Sequence, residues 1–254
     1  MLKFLLYIGT IFNFLIVQAQ VQDSSQFLQI KVLPIINKIQ YVGDHPYDWN
    51  DGAMIPAKGW QQYTNAGLQL KWKHFEFQIL PEYVAAQNLL FEGFSTDMDQ
   101  VQKRDYYRFY NQIELPERFG YQPYRKFFTG QSYIQYQYRN TTIQLSSANK
   151  WWGPGFRNAL ILSNNAGGFP HISVSNKKLI KTSIGLFNYE LIWGQLINNG
   201  FPPQFSNFSF GGNPLYAPKE DRIRLFQAIN VQYFPKWFSN LSLGLERSEE
   251  HTSE

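Results

Sequence analysis

Apolar and polar residues alternate with period two over much of the chain. Leu68, Leu70 and Trp72 are the apolar positions of one run, and Phe75, Phe77 and Ile79 those of the next. The phase inverts across Lys73-His74, as a tight hairpin requires. Pairing about that turn sets Trp72 against Phe75, Leu70 against Phe77 and Leu68 against Ile79 on one face. Lys-His is a poor two-residue turn sequence, so a longer loop stays open as an alternative. Ile134, Tyr136 and Tyr138, followed by Ile143 and Leu145, repeat the arrangement. A turn at Arg139-Asn140 pairs Ile134 with Leu145 and Tyr136 with Ile143. The opposite faces carry Gln, Lys, Glu and Thr.

Longer strands are expected downstream. Ile223, Leu225, Ile229, Val231 and Tyr233 share one face, with Gln227 interrupting, while Arg222, Arg224, Asn230 and Gln232 occupy the other. Pro235-Lys236-Trp237 turns the chain, and Leu241, Leu243 and Leu245 resume the alternation. Thr182–Trp193 is a further candidate strand. Helical patterning is weak, with short helices expected at most near Ala85–Asn88 or Thr96–Arg104. A tilted strand of about ten residues suits a bilayer crossing. The predicted fold class is therefore all-β, a transmembrane antiparallel β-barrel of the outer membrane. A soluble sandwich shares the alternation. The barrel is favoured because Tyr and Trp recur near strand ends, where they suit the lipid–water boundary. A barrel also leaves no unpaired edge in lipid.

Both ends refine this expectation. Lys3, an apolar run from Phe4 to Val17 and small residues through Ala19 form a secretory signal peptide, residues 1–19, with Gln20 as the expected mature start. The last eight residues, 247–254, read as the in-frame translation of a sequencing-library adapter. They are treated as a foreign tail, leaving 20–246 as the N-terminal part of a larger barrel. Without the tail's one arginine and three glutamates the net charge rises from +4 to +6, and loss of Lys3 leaves +5. That charge is mild and spread out, and no basic cluster points to nucleic acid. Cysteine is absent, so an exported fold must rest on burial and backbone pairing. Aromatic residues make up 18% of the chain, and no mature segment is apolar enough for a spanning helix.

The run "ELPERFGYQPYRKFFTGQSYIQYQYRN" from Glu114 and the run "WWGPGFRNALILSNNAGGFPH" from Trp151 resemble the Wzi family of outer-membrane capsule-assembly proteins. The branch found in Bacteroidetes-type bacteria is the most similar. Asn50-Asp51-Gly52-Ala53, Pro81–Val84 with Gln87-Asn88, and Gln232–Trp237 add to the likeness. The resemblance implies a large β-barrel with a periplasmic helical portion. It also implies a lectin-like role, attaching capsular polysaccharide to the cell surface, with the polymer and outer-membrane lipid as partners and no cofactor or catalysis.

A sugar ring offers an apolar C–H face and a rim of hydroxyls, so it calls for a flat aromatic platform beside donors and acceptors. Trp151 and Trp152 would supply the platform, and Ser163, Asn164 and Asn165 the polar partners. Arg157 would hold a uronic-acid carboxylate at two points. Gly153-Pro154-Gly155 would bend the backbone beside them. Against this, neighbours on a strand face opposite ways, so one tryptophan would be a packing residue or an interfacial anchor. Ser163–Asn165 would then be a turn capped by its own side chains.

Other chemistry is weaker. His171 and Ser173 fall on one face of a strand, a partial match to an esterase or phospholipase pair that lacks an orienting third group. A passive porin-like barrel is the remaining alternative. Asp44, His45, Asp48 and Asp51 match no calcium-loop spacing and read as a solvated loop. Asn140, Asn207 and Asn240 begin sequons that carry no meaning in a bacterial outer membrane. No phosphate loop, zinc pattern or serine elbow occurs.

Overall fold

The computed structural model describes residues 28–252 except 49, 92–96, 114–115, 157, 204–205, 219–222 and 239. The expected signal peptide, Arg157, Arg222 and Thr96 lie outside the described residues. The strands are β1 (Leu28–Val32), β2 (Ile36–Val42), β3 (Gly59–Asn65), β4 (Leu68–Trp72), β5 (Phe75–Ile79) and β6 (Glu82–Ala86). After helix α1 (Gln100–Tyr110) come β7 (Tyr124–Phe128), β8 (Tyr133–Tyr138), β9 (Thr141–Ser146), β10 (His171–Asn176), β11 (Ile180–Lys181) and β12 (Gly185–Leu196). The last are β13 (Ser209–Phe210), β14 (Asn213–Pro214), β15 (Arg224–Pro235) and β16 (Leu243–Thr252).

The large sheet is antiparallel in the order β1-β4-β5-β8-β9-β10-β12-β15-β16, with β11 beside β12. Both predicted hairpins form in the predicted register, Trp72 opposite Phe75 and Ile134 opposite Leu145. Lys73 and Arg139 adopt positive φ, 53° and 51°, so two non-glycine residues accept the left-handed turn conformation. Following the register across the sheet gives two unlike faces. Gln69, Glu76, Gln135, Gln144, Ser173, Glu190, Asn230 and Glu246 share one; Leu70, Phe77, Ile134, Leu145, Ile172, Leu191, Ile229 and Leu245 share the other. The polar face is cross-linked. Glu76 accepts from Gln69 Nε2 at 2.8 Å and Tyr133 Oη at 2.6 Å, and Lys71 lies 3.2 Å away. On β16 the apolar face changes at residue 247 from Leu243 and Leu245 to Arg247, Glu249 and His251.

A second sheet, β2-β3-β6-β7, continues the first four strands of the large one in the same order. The two meet along a crease at Leu33–Ile35, Ala66-Gly67, Leu80-Pro81 and Thr129–Ser132. Leu33 N donates to Gly67 O at 2.9 Å and Gln131 N to Leu80 O at 3.0 Å across it. The backbones approach so closely that a Cβ on Gly67 would meet Ile79 O at 1.9 Å. Alternation carries straight through β3–β4 and β5–β6 but slips by one residue in β1–β2 and β7–β8. Phe127, not Phe128, thereby shares a face with Tyr83, and Tyr41 with Trp60. Such slips bend a sheet as bulges do.

The inner face of the second sheet carries a core. Tyr63 and Val84 pack on Ala53 and Met54, and Ala86 packs with Ile55, Ala57 and Phe119. This corrects the expectation of a helix near Ala85–Asn88: Ala85 and Ala86 belong to β6, paired with β3 and β7. Ala86 is the one that faces inward, where Ile55 and Ala57 of the 53–57 loop pack beside it. Helix α1 begins four residues later than the expected start at Thr96. Asp99 caps it, accepting from Gln102 N at 2.8 Å, while the Gln102 side chain accepts from Asp99 N at 3.0 Å.

Connections β4–β5, β8–β9, β10–β12 and β15–β16 are short and lie at one end of the large sheet. The long ones, 43–58, 87–123, 147–170 and 197–223, lie at the other. Short periplasmic turns and long external loops are the habit of outer-membrane barrels. Helix α1 is in the 87–123 connection. The periplasmic helical portion implied by the resemblance therefore has no counterpart at the short-turn end among the described residues.

Candidate functional site

Connection 147–170 folds back onto the polar face, and residue after residue is tied down. Asn149 N donates to Gln131 Oε1 at 3.0 Å, and Gln131 Nε2 returns a bond to Asn149 Oδ1 at 2.8 Å. The same Gln131 amide reaches Glu82 Oε1 at 2.9 Å, which also accepts from Tyr63 Oη at 2.8 Å. Lys150 Nζ lies 2.6 Å from Glu190 Oε1, and Trp152 Nε1 donates to Glu190 Oε2 at 2.9 Å. One wall carboxylate thus holds two consecutive anchors of the loop.

The two tryptophans part company. Trp152 is 4% exposed and packs with Ile192, Phe226 and Ala228, flanked by Leu162, Phe169 and Leu196. Trp151 is half-buried, with its indole N–H given to Gly155 O at 2.9 Å. Between them and Leu162 the chain makes a closed excursion, Trp152 N to Leu162 O at 3.1 Å and Leu160 N to Trp152 O at 3.0 Å. Gly153 begins it at φ +109°, where a side chain would be strained. Its tip carries Phe156, 95% exposed.

Ser163–Asn165 forms the turn that returns the chain. Asn165 N donates to Ser163 Oγ at 3.2 Å, and Asn165 is exposed. The backbone of Asn164 is clasped by the 48–52 loop. Asn164 N donates to Asn50 Oδ1 at 2.9 Å, and Gly52 N to Asn164 O at 2.7 Å. Asp48 Oδ1 accepts from Asn50 N at 2.7 Å. Burial raises the carboxyl pKa of Asp48 and of Asp51, and for Asp51 the neighbouring Asp48 charge adds to the effect.

A raised carboxyl favours the folded state most below its unfolded pKa, and that contribution is lost as pH rises through the folded value. The clasp should therefore tighten on acidification into the range just above pH ~4, the unperturbed carboxylate value. Hydrogen exchange at the Gly52 amide, corrected for intrinsic rate, is expected to show more protection at pH 5 than at pH 7.5. Asp51→Asn should raise protection at neutral pH and flatten the difference. A pH-independent Gly52 amide in the unmutated chain would refute the assignment.

Of the predicted residues, the structure brings Trp151, Trp152, Ser163, Asn164 and Asn165 onto one anchored loop. Lys150, Glu190 and Gln131 were missed. Glu190 carried a signal, because it is the only charged residue between Thr182 and Leu196, and a charge inside a membrane-type strand calls for a partner. His171 and Ser173 do share the polar face and are both buried. Among the described residues no hydrogen bond joins them, and His171 Nδ1 is engaged by Phe169 O at 2.7 Å. Asp44 and His45 form an exposed contact at 3.3 Å, and among the described residues no group of three or more ligand-type side chains is placed to hold a metal.

An antiparallel sheet, apolar outside and polar inside, with short turns at one end and a loop folded onto the inner face at the other, is the wall of a transmembrane β-barrel. The sequence matches the family described as capsule assembly protein Wzi over residues 50–248, and the chain belongs to that family. Its members are outer-membrane proteins of capsule assembly, and this is not a family of known enzymes. Comparison with curated proteins and with solved structures found no match.

The pieces that carried the resemblance meet in space. Asn50–Gly52 clasps Asn164, Glu82 meets Gln131, and Asn88 meets the 118–122 segment. Asn88 Nδ2 donates to the carbonyls of Phe119, Gly120 and Gln122 at 2.8, 3.2 and 2.9 Å, while the Arg118 guanidinium donates to Asn88 O.

Proposed function

We propose that the chain binds capsular polysaccharide at the loop-rich end of the barrel wall and attaches the polymer to the cell surface without altering it. The observation that carries this reading is the fixed loop 149–165, set on the polar face and presenting Trp151, Ser163, Asn164 and Asn165 from a frame pinned at Gln131, Glu190 and Asn50. A pre-ordered loop loses little entropy on binding, which suits weak, repeated contacts along a polymer. Trp151 and the Ser163–Asn165 turn are the proposed sugar contacts. Trp152 shares the site as its support, its ring spent on Ile192 and Phe226. Arg157 is the proposed partner for an acidic sugar.

A deletion strain should make polymer but release it into the medium, and plasmid-borne protein should restore retention. Purified protein carrying Trp151→Ala with Asn165→Ala should bind isolated polymer about tenfold more weakly, the equivalent of about 1.4 kcal/mol. Retained capsule in the deletion strain, or unaltered binding by the double variant, would overturn the reading.

A further inference from the structure

The outer face of the second sheet presents Ile39, Tyr41, Trp60, Gln62, Tyr83 and Phe127. Tyr41 and Trp60 pack with ring centroids 5.1 Å apart, and Tyr83 and Phe127 at 4.6 Å. Phe127, Trp60, Tyr41 and Ile39 are all exposed within the chain. By register this face continues the apolar face of Leu70, Phe77 and Ile134 across the crease.

Strand length decides what should cover it. β4 and β5 have five residues each. At about 3.4 Å per residue and a tilt of about 45°, five residues climb roughly 12 Å, about half of a barrel's apolar band of about 25 Å. β12 and β15, with twelve residues each, climb roughly 29 Å on the same arithmetic. The run Phe75–Ala86, which is β5 and β6 with Leu80-Pro81 of the crease between them, also spans twelve residues and at the same tilt reaches a similar height. A flat bilayer touching all these strands must therefore pass the crease.

We infer that the outer face of β2-β3-β6-β7 is seated in the outer leaflet, with Tyr41, Trp60, Tyr83 and Phe127 forming the aromatic girdle at the headgroup level. The composition fits that depth. Aromatics sit beside Asn37, Gln62 and Thr64, which bond one another at 2.9 to 3.3 Å, and beside Arg125 on the same face. Flat rings with nearby hydrogen-bonding groups match the boundary between acyl chains and polar heads. The crease then tilts the upper wall without lifting it from the membrane. The inference rests on the barrel reading but not on the proposed glycan contacts.

The absence of cysteine allows a direct test. Spin labels are placed singly through Leu70→Cys, Gln62→Cys, Phe127→Cys and Phe156→Cys in the whole chain, reconstituted in phosphatidylcholine–phosphatidylglycerol vesicles. Collision with oxygen is compared with collision with a water-soluble nickel chelate. The oxygen-to-nickel ratio at Gln62 and Phe127 should stand several-fold above that at Phe156 and below that at Leu70. Gln62 is an exposed amide, so its substitution leaves folding intact if Phe127→Cys does not. Ratios equal to that of Phe156 would place the second sheet in water and overturn the inference. Shielding from both reagents would overturn it too, pointing to a second copy over this face. A label at Leu70 that behaves as aqueous would instead bring down the barrel reading itself.

Discussion

Replacing Asn88 by alanine is expected to cost the folded protein about 4 kcal/mol, the largest loss from any single side chain at the junction of the second sheet with its loops. Asn88 is 1% exposed, and its amide nitrogen is shared among three backbone carbonyls, that of Phe119 in a buried bond and those of Gly120 and Gln122 in part-buried ones. Removing it orphans them at about 1–3 kcal/mol for each carbonyl fully deprived, less where the loop relaxes. Asn88 also sits at φ +52°, which asparagine tolerates and alanine does not, adding about 1 kcal/mol. Asn88→Gly separates the two terms: it relieves the backbone but leaves the carbonyls bare, so its loss should be smaller, about 2–3 kcal/mol. Arg118→Lys should cost less again, since one ammonium can still reach Asn88 O. Urea unfolding in detergent micelles, followed by the heat-modifiable shift in gel mobility, would rank the variants. A glycine variant as unstable as the alanine variant would remove the backbone term from this account.

The strands whose polar face meets only other polar side chains were legible in the sequence. Leu68–Ile79 and Ile134–Leu145 have one face for lipid and one for amides, so period two survives intact and fixes the register. The crease was not legible, because a one-residue slip at Leu33–Ile35 or Thr129–Ser132 looks like a pause in the pattern and carries no sign of which face resumes. Beyond the crease both faces have apolar demands, the inner one from the loop 53–57. Tyr83-Val84-Ala85-Ala86 therefore shows no alternation, and the sequence suggests a short helix near Ala85–Asn88 instead. At the site, the doubled tryptophan was legible as unusual, but its division of labour was not. Which ring turns to the wall depends on Glu190, some forty residues away in sequence, and no local pattern links the two.

That distant contact makes Glu190 the second sensitive point. Glu190→Ala should destabilise the protein by about 3 kcal/mol, because it leaves a partly buried ammonium on Lys150 and an unpaired indole N–H on Trp152. The pair is not sealed from solvent, its side chains being 17% and 21% exposed, so the effect belongs below the full range for a buried ion pair. Glu190→Gln keeps one acceptor and loses the charge, and should cost about half as much. Trp152→Phe keeps most of the packing against Ile192 and Phe226 and gives up one hydrogen bond, about 1 kcal/mol. If the carboxylate acts through charge, Lys150→Gln combined with Glu190→Gln should be more stable than Glu190→Gln alone, because the stranded ammonium is gone. If that double variant is instead the less stable one, Lys150 stabilises the loop by its own packing and the pairing contributes little. The same series tests the strut against the platform. Trp152→Phe should leave polymer binding intact while Glu190→Ala, which releases the Lys150–Trp152 stretch from its anchor on the wall, should weaken it although Glu190 touches no sugar. Binding lost in Trp152→Phe with the fold unchanged would return that ring to the list of direct contacts.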